Sequence, residues 1–200
     1  MSTRLTPEEG AALLCFARAA IEDRLFHNGA LAAARNDIAM TPALEAKRAC
    51  FVTLETPGAD GELQLRGCIG STEARLPAYE AAVASALDAA FDDPRFQPLA
   101  PEEHPGLVLS VSVLTPMAPV PGAESIVAGR DGVVLEASGR RALFLPEVAA
   151  EQGWTRIELL EHLCRKAGLP ANAWQRARLS TFQSERFGEP VGEDARIRRS

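Results

Sequence analysis

The sequence lacks the features that mark the common enzyme and membrane classes. It contains no HExxH, Walker-type phosphate loop or GxSxG motif, which removes zinc peptidases, P-loop NTPases and α/β-hydrolase-type serine enzymes as starting hypotheses. No apolar run approaches the ~20 residues that a bilayer-spanning helix needs, and the opening "MSTRLTPEEG" has no signal-peptide apolar stretch. We therefore expect a cytoplasmic protein with no membrane association.

Metal-site and disulfide signals are also scarce. The four cysteines form no CxxC pair, so neither a disulfide framework nor a structural zinc site is indicated. His162 and Cys164 are two positions apart on a predicted helix, where their side chains point in different directions. We predict no metal site, and the sequence identifies no cofactor.

Positive charge is in the minority. The net charge is −6, whereas proteins whose main task is to hold phosphate backbones need an excess of Lys and Arg. Nucleic acid is therefore an unlikely partner. The 200 residues, 46% of them hydrophobic, are enough for one generous domain or a domain with a smaller lobe.

Helix signals occur in three places. Thr6 and Glu9 form a capping box that starts a helix ending near Gly29, and Thr155 with Glu158 forms a second box for a helix that ends at Gly168. Residues 77–91 form a third helical run, which Pro94 prevents from continuing. The intervening segment 30–42, "ALAAARNDIAMTP", has no clear period and reads as a linker.

Strand signals fill much of the remainder. Residues 49–55 and 62–70 predict a hairpin, 107–116 a further strand, and Ser138-Gly139 the turn of a second hairpin. Residues 177–187 complete the ordered chain, and 188–200 read as a flexible tail. Helices and hairpins in mixed order predict an α+β fold, with a mainly antiparallel sheet and flanking helices.

The stretch "LRGCIGS", residues 65–71, is the strongest candidate site. On a regular strand Arg66 and Cys68 share one face, while Leu63, Leu65, Gly67 and Ile69 share the other. A guanidinium beside a thiol favours the nucleophilic thiolate, and the two glycines allow close approach of a ligand or a second backbone.

Three plainer interpretations stand beside this one. A free cysteine often packs as a small buried hydrophobe, and glycines in strands often mark bulges or crowded contacts. Arg66 could pair with a carboxylate from "DDPRF", or Asp92, Asp93 and Arg95 could form a self-contained salt-bridged cap at the helix end. The GxxG of Gly67 to Gly70 also matches the RNA-gripping loop of KH domains, but a strand precedes it here.

The order of motifs resembles the AMMECR1 domain family over about residues 13–187. The motifs are "LRGCIG", "SALDAAFDDPRF", "LVLSVSVLTP", "GRDGVVLE", "ALFLPEVAAEQGW", "LCRKAGL" and "LSTFQSERF". The resemblance implies a larger lobe around an antiparallel sheet, a smaller α+β lobe and a cleft near "LRGCIG". It places motif residues at Leu65, Arg66, Gly67, Cys68, Ile69, Gly70, Asp93, Arg95, Phe96, Pro146, Glu147 and Trp154. Where the family tends to have a His-Gly pair, this chain has Asp131-Gly132.

The same resemblance suggests partners without establishing an activity. Prokaryotic family members are associated with a Memo-like protein and a radical SAM protein, and this chain looks like component A of that AmmeMemoRadiSam system. One hypothesis is thiol-dependent chemistry, with Cys68 as nucleophile or carrier, Arg66 holding it as thiolate, and Glu147 as acid or base. A small anionic ligand would then contact Gly67, Gly70, Asp93 and Arg95. The alternative is a non-catalytic protein–protein interaction module.

Overall fold

The structure, a computed structural model, describes residues 4–58 and 61–190. It confirms an α+β fold with antiparallel strand pairs. The chain divides into two compact units. The first contains the described residues up to Val113 and those from Glu185 onward, and the second contains Leu114–Ser184. In the part of the chain described, no helix has both the length and the apolar character needed to cross a bilayer.

The first unit packs helices against a four-stranded sheet in the order β2-β1-β3-β8, so that β2 lies at one edge. Its helices are α1 (Pro7–Phe26), α2 (Ala30–Asp37), α3 (Pro42–Glu45) and α4 (Ala78–Leu87). Its strands are β1 (Ala49–Pro57), β2 (Leu63–Ser71), β3 (Val108–Leu114) and β8 (Ser184–Gly188). One apolar core joins α1 and α4 to the inner faces of β1 and β3.

The second unit has a four-stranded sheet in the order β4-β7-β5-β6, packed on two helices. The strands are β4 (Ala118–Pro119), β5 (Gly132–Ala137), β6 (Arg140–Phe144) and β7 (Arg178–Phe182), and the helices are α5 (Pro146–Glu151) and α6 (Arg156–Lys166). Apolar residues of α6 and of one face of β5 form its core, which is separate from the core of the first unit.

Both predicted capping boxes are present. Thr6 accepts a hydrogen bond from the backbone of Glu9 and the Glu9 side chain accepts one from Thr6, which satisfies two free N–H groups at the start of α1. Thr155 and Glu158 do the same for α6. The predicted hairpins are also confirmed, and Ser138 and Gly139 take positive φ in the β5–β6 turn.

The linker predicted for residues 30–42 is wrong, because α2 and α3 occupy most of it. The reason is tertiary packing: Ala34 of α2 is buried in a small cluster with Phe16 and Ala19 of α1. A stretch so rich in alanine buries too little area per residue to show a hydrophobic period, although alanine is the best helix former.

The alternation predicted for residues 63–69 is broken by a β-bulge. Leu54 pairs with Gly67, but the next residue of β1, Glu55, pairs with Leu65, so Arg66 is the extra residue of β2. The prediction that Leu65 and Gly67 share a face is therefore wrong. The Leu65 side chain is exposed, whereas Gly67 is buried against the helical layer.

The chain around residue 188 is held in place at its described positions. Gly188 ends β8, the Glu189 carboxylate pairs with Arg18, and the Glu189 backbone N–H donates to the Leu109 carbonyl. The Glu189 carboxylate also accepts from the Leu109 N–H. The rest of the tail predicted for 188–200, residues 191–200, lies outside the described residues.

Candidate functional site

Both glycines of "RGCIG" lie where the neighbouring backbone leaves no room for a Cβ atom. A Cβ at Gly67 would overlap the backbone carbonyl oxygen of Ala89, and a Cβ at Gly70 would overlap the backbone of Cys50 and Phe51 on β1. Ala89 lies in a single π-helical turn, Asp88–Asp92, that follows α4. Such turns insert one extra residue into a helix and shift its carbonyls. Gly67 therefore leaves space for the helical layer, and Gly70 for the neighbouring strand.

Asp93 and Arg95 make hydrogen bonds to the backbone N–H and C=O of Cys68. The Asp93 carboxylate, with 1% of its side chain exposed, accepts from the Cys68 N–H at 2.9 Å and from the Arg95 N–H at 3.1 Å. It also accepts from Arg95 Nε at 3.0 Å and Nη2 at 2.7 Å. Arg95 Nη2 in turn donates to the Cys68 carbonyl at 3.1 Å. Both backbone groups of Cys68 that face away from β1 are thus satisfied.

These contacts fix the charge states of the pair. Hydrogen bonds from Arg95, and secondarily from the Cys68 and Arg95 N–H groups, hold the pKa of Asp93 well below its usual range despite its burial. The hydrogen bond to Asp93 raises the pKa of Arg95. The predicted salt-bridged cap of "DDPRF" is therefore present, and it is anchored on Cys68.

The Arg66 guanidinium pairs with Glu103. It makes a two-point contact, Nε to Oε1 at 2.6 Å and Nη2 to Oε2 at 3.0 Å, and Nη2 also donates to the Gln97 carbonyl. Glu103 raises the pKa of Arg66 through this hydrogen bond. Phe96 lies under both guanidiniums, 5.7 Å from that of Arg66 and 5.5 Å from that of Arg95. The carboxylate that pairs with Arg66 thus comes from Glu103, not from "DDPRF".

The four thiols occupy different environments. Cys50 is buried, and desolvation raises the pKa of its thiol to about 12; burial also raises the pKa of Cys164. Cys15 is exposed. Cys68 is half-buried, with its Sγ 3.3 Å from Thr53 Oγ1, its cross-strand neighbour on β1. Cys68 therefore combines partial access with a hydroxyl partner.

A cleft of about 390 Å³ opens within the first unit at the end of β2, the strand that carries Cys68. Gly70 and Ser71 line one wall, α4 lines another, and Arg48 and Arg75 contribute guanidiniums. Burial, followed by the charge of Asp92, raises the pKa of Asp88, which also lines this cleft. The volume lies within the range of small-molecule sites.

The remaining motif residues belong to the second unit. Glu147 lies in the first turn of α5, where its Oε2 is buried and has no hydrogen-bond partner among the described residues. Trp154 stacks on His162, with ring centroids 4.1 Å apart, and meets the edge of Phe144. Asp131, at the position of the family's histidine, is buried and paired with Arg130. Arg66, Gly67, Cys68, Gly70, Asp93 and Arg95 all lie in the first unit.

The structure also bears on two other subjects of the sequence analysis, the KH-type GxxG loop and metal ligands. Gly67 and Gly70 lie within an antiparallel strand rather than in a loop between two helices, so the geometry of a KH loop is absent. Within residues 4–58 and 61–190, no group of three or more His, Cys, Asp or Glu side chains is arranged to hold a metal ion.

Sequence reasoning missed Thr53 and Glu103 as members of this cluster. Thr53 could have been found from the register of the predicted hairpin, because residues directly across two strands are neighbours. Glu103 had no comparable signal, since it reaches Arg66 from a 3₁₀ turn, Pro101–Gly106, that lies 37 positions along the chain.

Comparisons with known proteins agree with the order of motifs. The AMMECR1 family model matches residues 14–187. A protein of Thermofilum pendens is 39% identical over 205 residues, covering 95% of each chain. A protein of Methanocaldococcus jannaschii is 39% identical, covering 94% of this chain and 95% of its own. The crystal structure of an uncharacterised protein from Pyrococcus horikoshii is similar with a TM-score of 0.74, at 36% identity and 94% coverage of both chains.

Proposed function

The chain belongs to the AMMECR1 family, and from the geometry of its first unit we propose that it binds a small anionic molecule beside Cys68, with Arg95 as the anion-binding side chain. The Cys68 thiol lies at this site as the group available for reaction with the bound molecule. Arg95 thereby takes the role that the sequence suggested for Arg66, whose guanidinium is engaged by Glu103.

The fixed guanidinium of Arg95 is the observation that supports this proposal. A buried carboxylate, Asp93, orients it, yet 52% of the Arg95 side chain is exposed. Nε and Nη2 hold Asp93 and the Cys68 carbonyl, whereas Nη1 makes no hydrogen bond to a described residue. A donor held in position before binding loses little conformational entropy when an anion arrives.

The thiol is suited to the same site. Thr53 Oγ1 lies 3.3 Å from Cys68 Sγ, so the two groups share a hydrogen bond. The Arg95 guanidinium contacts the backbone carbonyl of the same cysteine, so a cation is held at this residue. Gly70, two residues along β2, lines the 390 Å³ cleft, which offers space for the body of a ligand. Reaction and substrate stay open under this proposal.

The direct test compares two alkylating agents of similar size, neutral iodoacetamide and anionic iodoacetate. If Arg95 attracts anions to the thiol, the iodoacetate-to-iodoacetamide rate ratio at Cys68 exceeds that of the exposed Cys15, read by mass spectrometry on the same sample. Arg95→Gln, which can still donate to Asp93, lowers the ratio at Cys68 by about fivefold, the change expected from losing about 1 kcal/mol of charge attraction.

Arg4→Gln is the matched control, because Arg4 is an exposed arginine of the same unit that pairs with the largely buried Glu185 and does not line the cleft. This variant leaves the ratio at Cys68 unchanged. An equal ratio at Cys15 and Cys68 in the wild-type protein, or no response to Arg95→Gln in a folded protein, overturns the proposal. Cys50 and Cys164 stay unmodified until the chain unfolds, which confirms that the native state is being probed.

We also propose the Memo-like and radical SAM proteins suggested by the family resemblance as binding partners. Exposed apolar side chains, which both units carry, support this second function, an interaction module: we place its contact at Ile157, at the start of α6, 42% of which is exposed to solvent. Co-purification with either protein should survive Cys68→Ala and be lost in Ile157→Asp. Retention of binding in Ile157→Asp, or no binding at micromolar concentrations, argues against this interface.

A further inference from the structure

Three charged side chains form a row across three strands of the second unit. Glu136 of β5 lies directly opposite Arg141 of β6 and Arg178 of β7. Its Oε1 is 3.4 Å from Arg141 Nε, and its Oε2 is 3.1 Å from Arg178 Nη2. The residues on either side of Glu136 in β5, Leu135 and Ala137, belong to the core, so the row occupies the face of the sheet away from α6.

The row carries more positive charge than its structural role requires. One carboxylate on an exposed row would complete a cross-strand pair with one arginine, and such pairs stabilise a sheet only modestly. Here two guanidiniums share Glu136. The same three side chains line a pocket of about 300 Å³, whereas the Arg140 guanidinium lies on the other face of the sheet and binds the Ala167 and Gly168 carbonyls at the end of α6. Two cations and one anion therefore flank this pocket, in a protein of net charge −6.

A second cavity adjoins this pocket and has a different character. It measures about 640 Å³, and Glu136 and Arg178 line both spaces. The Trp174 ring and the segment Pro119–Pro121 supply aromatic and apolar walls. Trp174 also packs on the core of the second unit, which fixes the ring. Glu124 lines this second cavity, which disfavours an anionic group there and leaves the arginine pocket as the place for one.

We infer that the second unit binds a small phosphorylated molecule with a planar ring, the class represented by a mononucleotide. The phosphate occupies the pocket of Arg141 and Arg178, where guanidiniums match phosphate oxygens in two-point contacts. The ring lies in the adjoining cavity along Trp174, where stacking on an aromatic side chain is favourable for any base. All of these residues lie in the second unit, so this inference is independent of the site beside Cys68.

Tryptophan fluorescence tests the inference, because the chain has only two tryptophans, Trp154 and Trp174. Trp154→Phe leaves Trp174 as the reporter. At constant ionic strength, AMP should quench its emission, adenosine should require at least about a tenfold higher concentration, and inorganic phosphate should compete with AMP. The double variant Arg141→Ala/Arg178→Ala in this background weakens AMP binding about tenfold or more. Arg165→Ala, which removes an exposed arginine paired with Glu161 on α6, does not.

A thermal-shift series on the protein with both tryptophans keeps the test valid if Trp154→Phe fails to fold. AMP should raise the melting temperature progressively, with the logarithm of its concentration once that concentration exceeds the Kd, and the double variant should lose that shift. No quenching and no shift at millimolar AMP overturns the inference. The inference is also overturned if the double variant binds AMP as tightly as the protein from which it was made. Tight binding of a single-stranded RNA oligonucleotide without AMP binding would identify a nucleic-acid surface instead.

Discussion

The arginines of the two proposed binding sites differ in how completely their charge is matched. In the first unit, Arg66 pairs with Glu103 and Arg95 with Asp93, one carboxylate to one guanidinium, and the Asp93 carboxylate is buried. In the second unit Arg141 and Arg178 share Glu136 on an exposed face. Matched, partly buried pairs are strongly coupled to the fold, so an anion at Arg95 must bind through Nη1, which makes no hydrogen bond to a described residue. A surplus of exposed charge contributes little stability and leaves a larger capacity for a ligand. Four predictions test this contrast.

The largest effect is expected from Asp93→Ala. It leaves the Cys68 N–H without its partner and the Arg95 guanidinium without its carboxylate, so we expect a loss of about 3 kcal/mol in the free energy of unfolding. Thermal denaturation followed by circular dichroism measures it. Asp92→Ala removes the exposed neighbouring carboxylate and should change stability by less than about 0.5 kcal/mol. Equal effects of the two variants would remove the distinction between the units.

Gly67→Ala is expected to rank second. The added methyl group meets the Ala89 backbone carbonyl, which cannot rotate away, so the π turn and β2 must separate at a cost of about 2 kcal/mol. Gly106→Ala is the control, since its Cβ would meet only Pro57 at ordinary contact distance. A wild-type melting temperature for Gly67→Ala would show that the close approach of the two elements is not required.

Acid should weaken the first unit through Asp93. Its pKa is lowered in the folded protein, so its stabilising contribution is complete above the unfolded-state value of about 3.9 and is lost as the pH falls below it. The melting temperature should therefore fall more steeply between pH 5 and pH 3 in the wild-type protein than in Asp93→Asn, by roughly a few degrees. Parallel pH profiles would show that the pKa of Asp93 is the same in the folded and unfolded states.

The smallest effect is expected in the second unit. Arg178→Ala removes one of the two cations on Glu136 but leaves Arg141 in place, and 86% of the Arg178 side chain is exposed. Stability should change by no more than about 0.5 kcal/mol in urea denaturation. A loss as large as that of Asp93→Ala would mean that the row is primarily structural, and the surplus charge would need no ligand to account for it.

The fold was predictable where the signals are local. Capping boxes at Thr6 and Thr155 and the turn at Ser138-Gly139 depend on residues within a few positions, and each was found from sequence. The helices within residues 30–45 were missed, because an alanine-rich segment becomes helical here by packing against α1. The helix preference of a segment does not indicate which surface of the protein the segment will pack against.

The sequence motifs identified four residues that the structure brings together, but not the contacts that they make. The sequence brought forward Arg66, Cys68, Asp93 and Arg95, and the structure places all four in one cluster. The bulge at Arg66 and the contact with Glu103 depend on long-range packing. One extra residue in β2 was enough to redirect Arg66, and the guanidinium that contacts Cys68 is that of Arg95, through the Cys68 backbone carbonyl.

The Asp93–Arg95 cap also affects whether the edge strand β2 can pair with a strand of another molecule. β2 lies at the edge of its sheet, and an edge strand with free N–H and C=O groups is a template onto which a strand of another molecule can add. At Cys68 both of these groups are already occupied, by a carboxylate and a guanidinium from the same chain. The cap therefore interrupts intermolecular sheet growth at the middle of β2, and losing it should favour aggregation as well as unfolding.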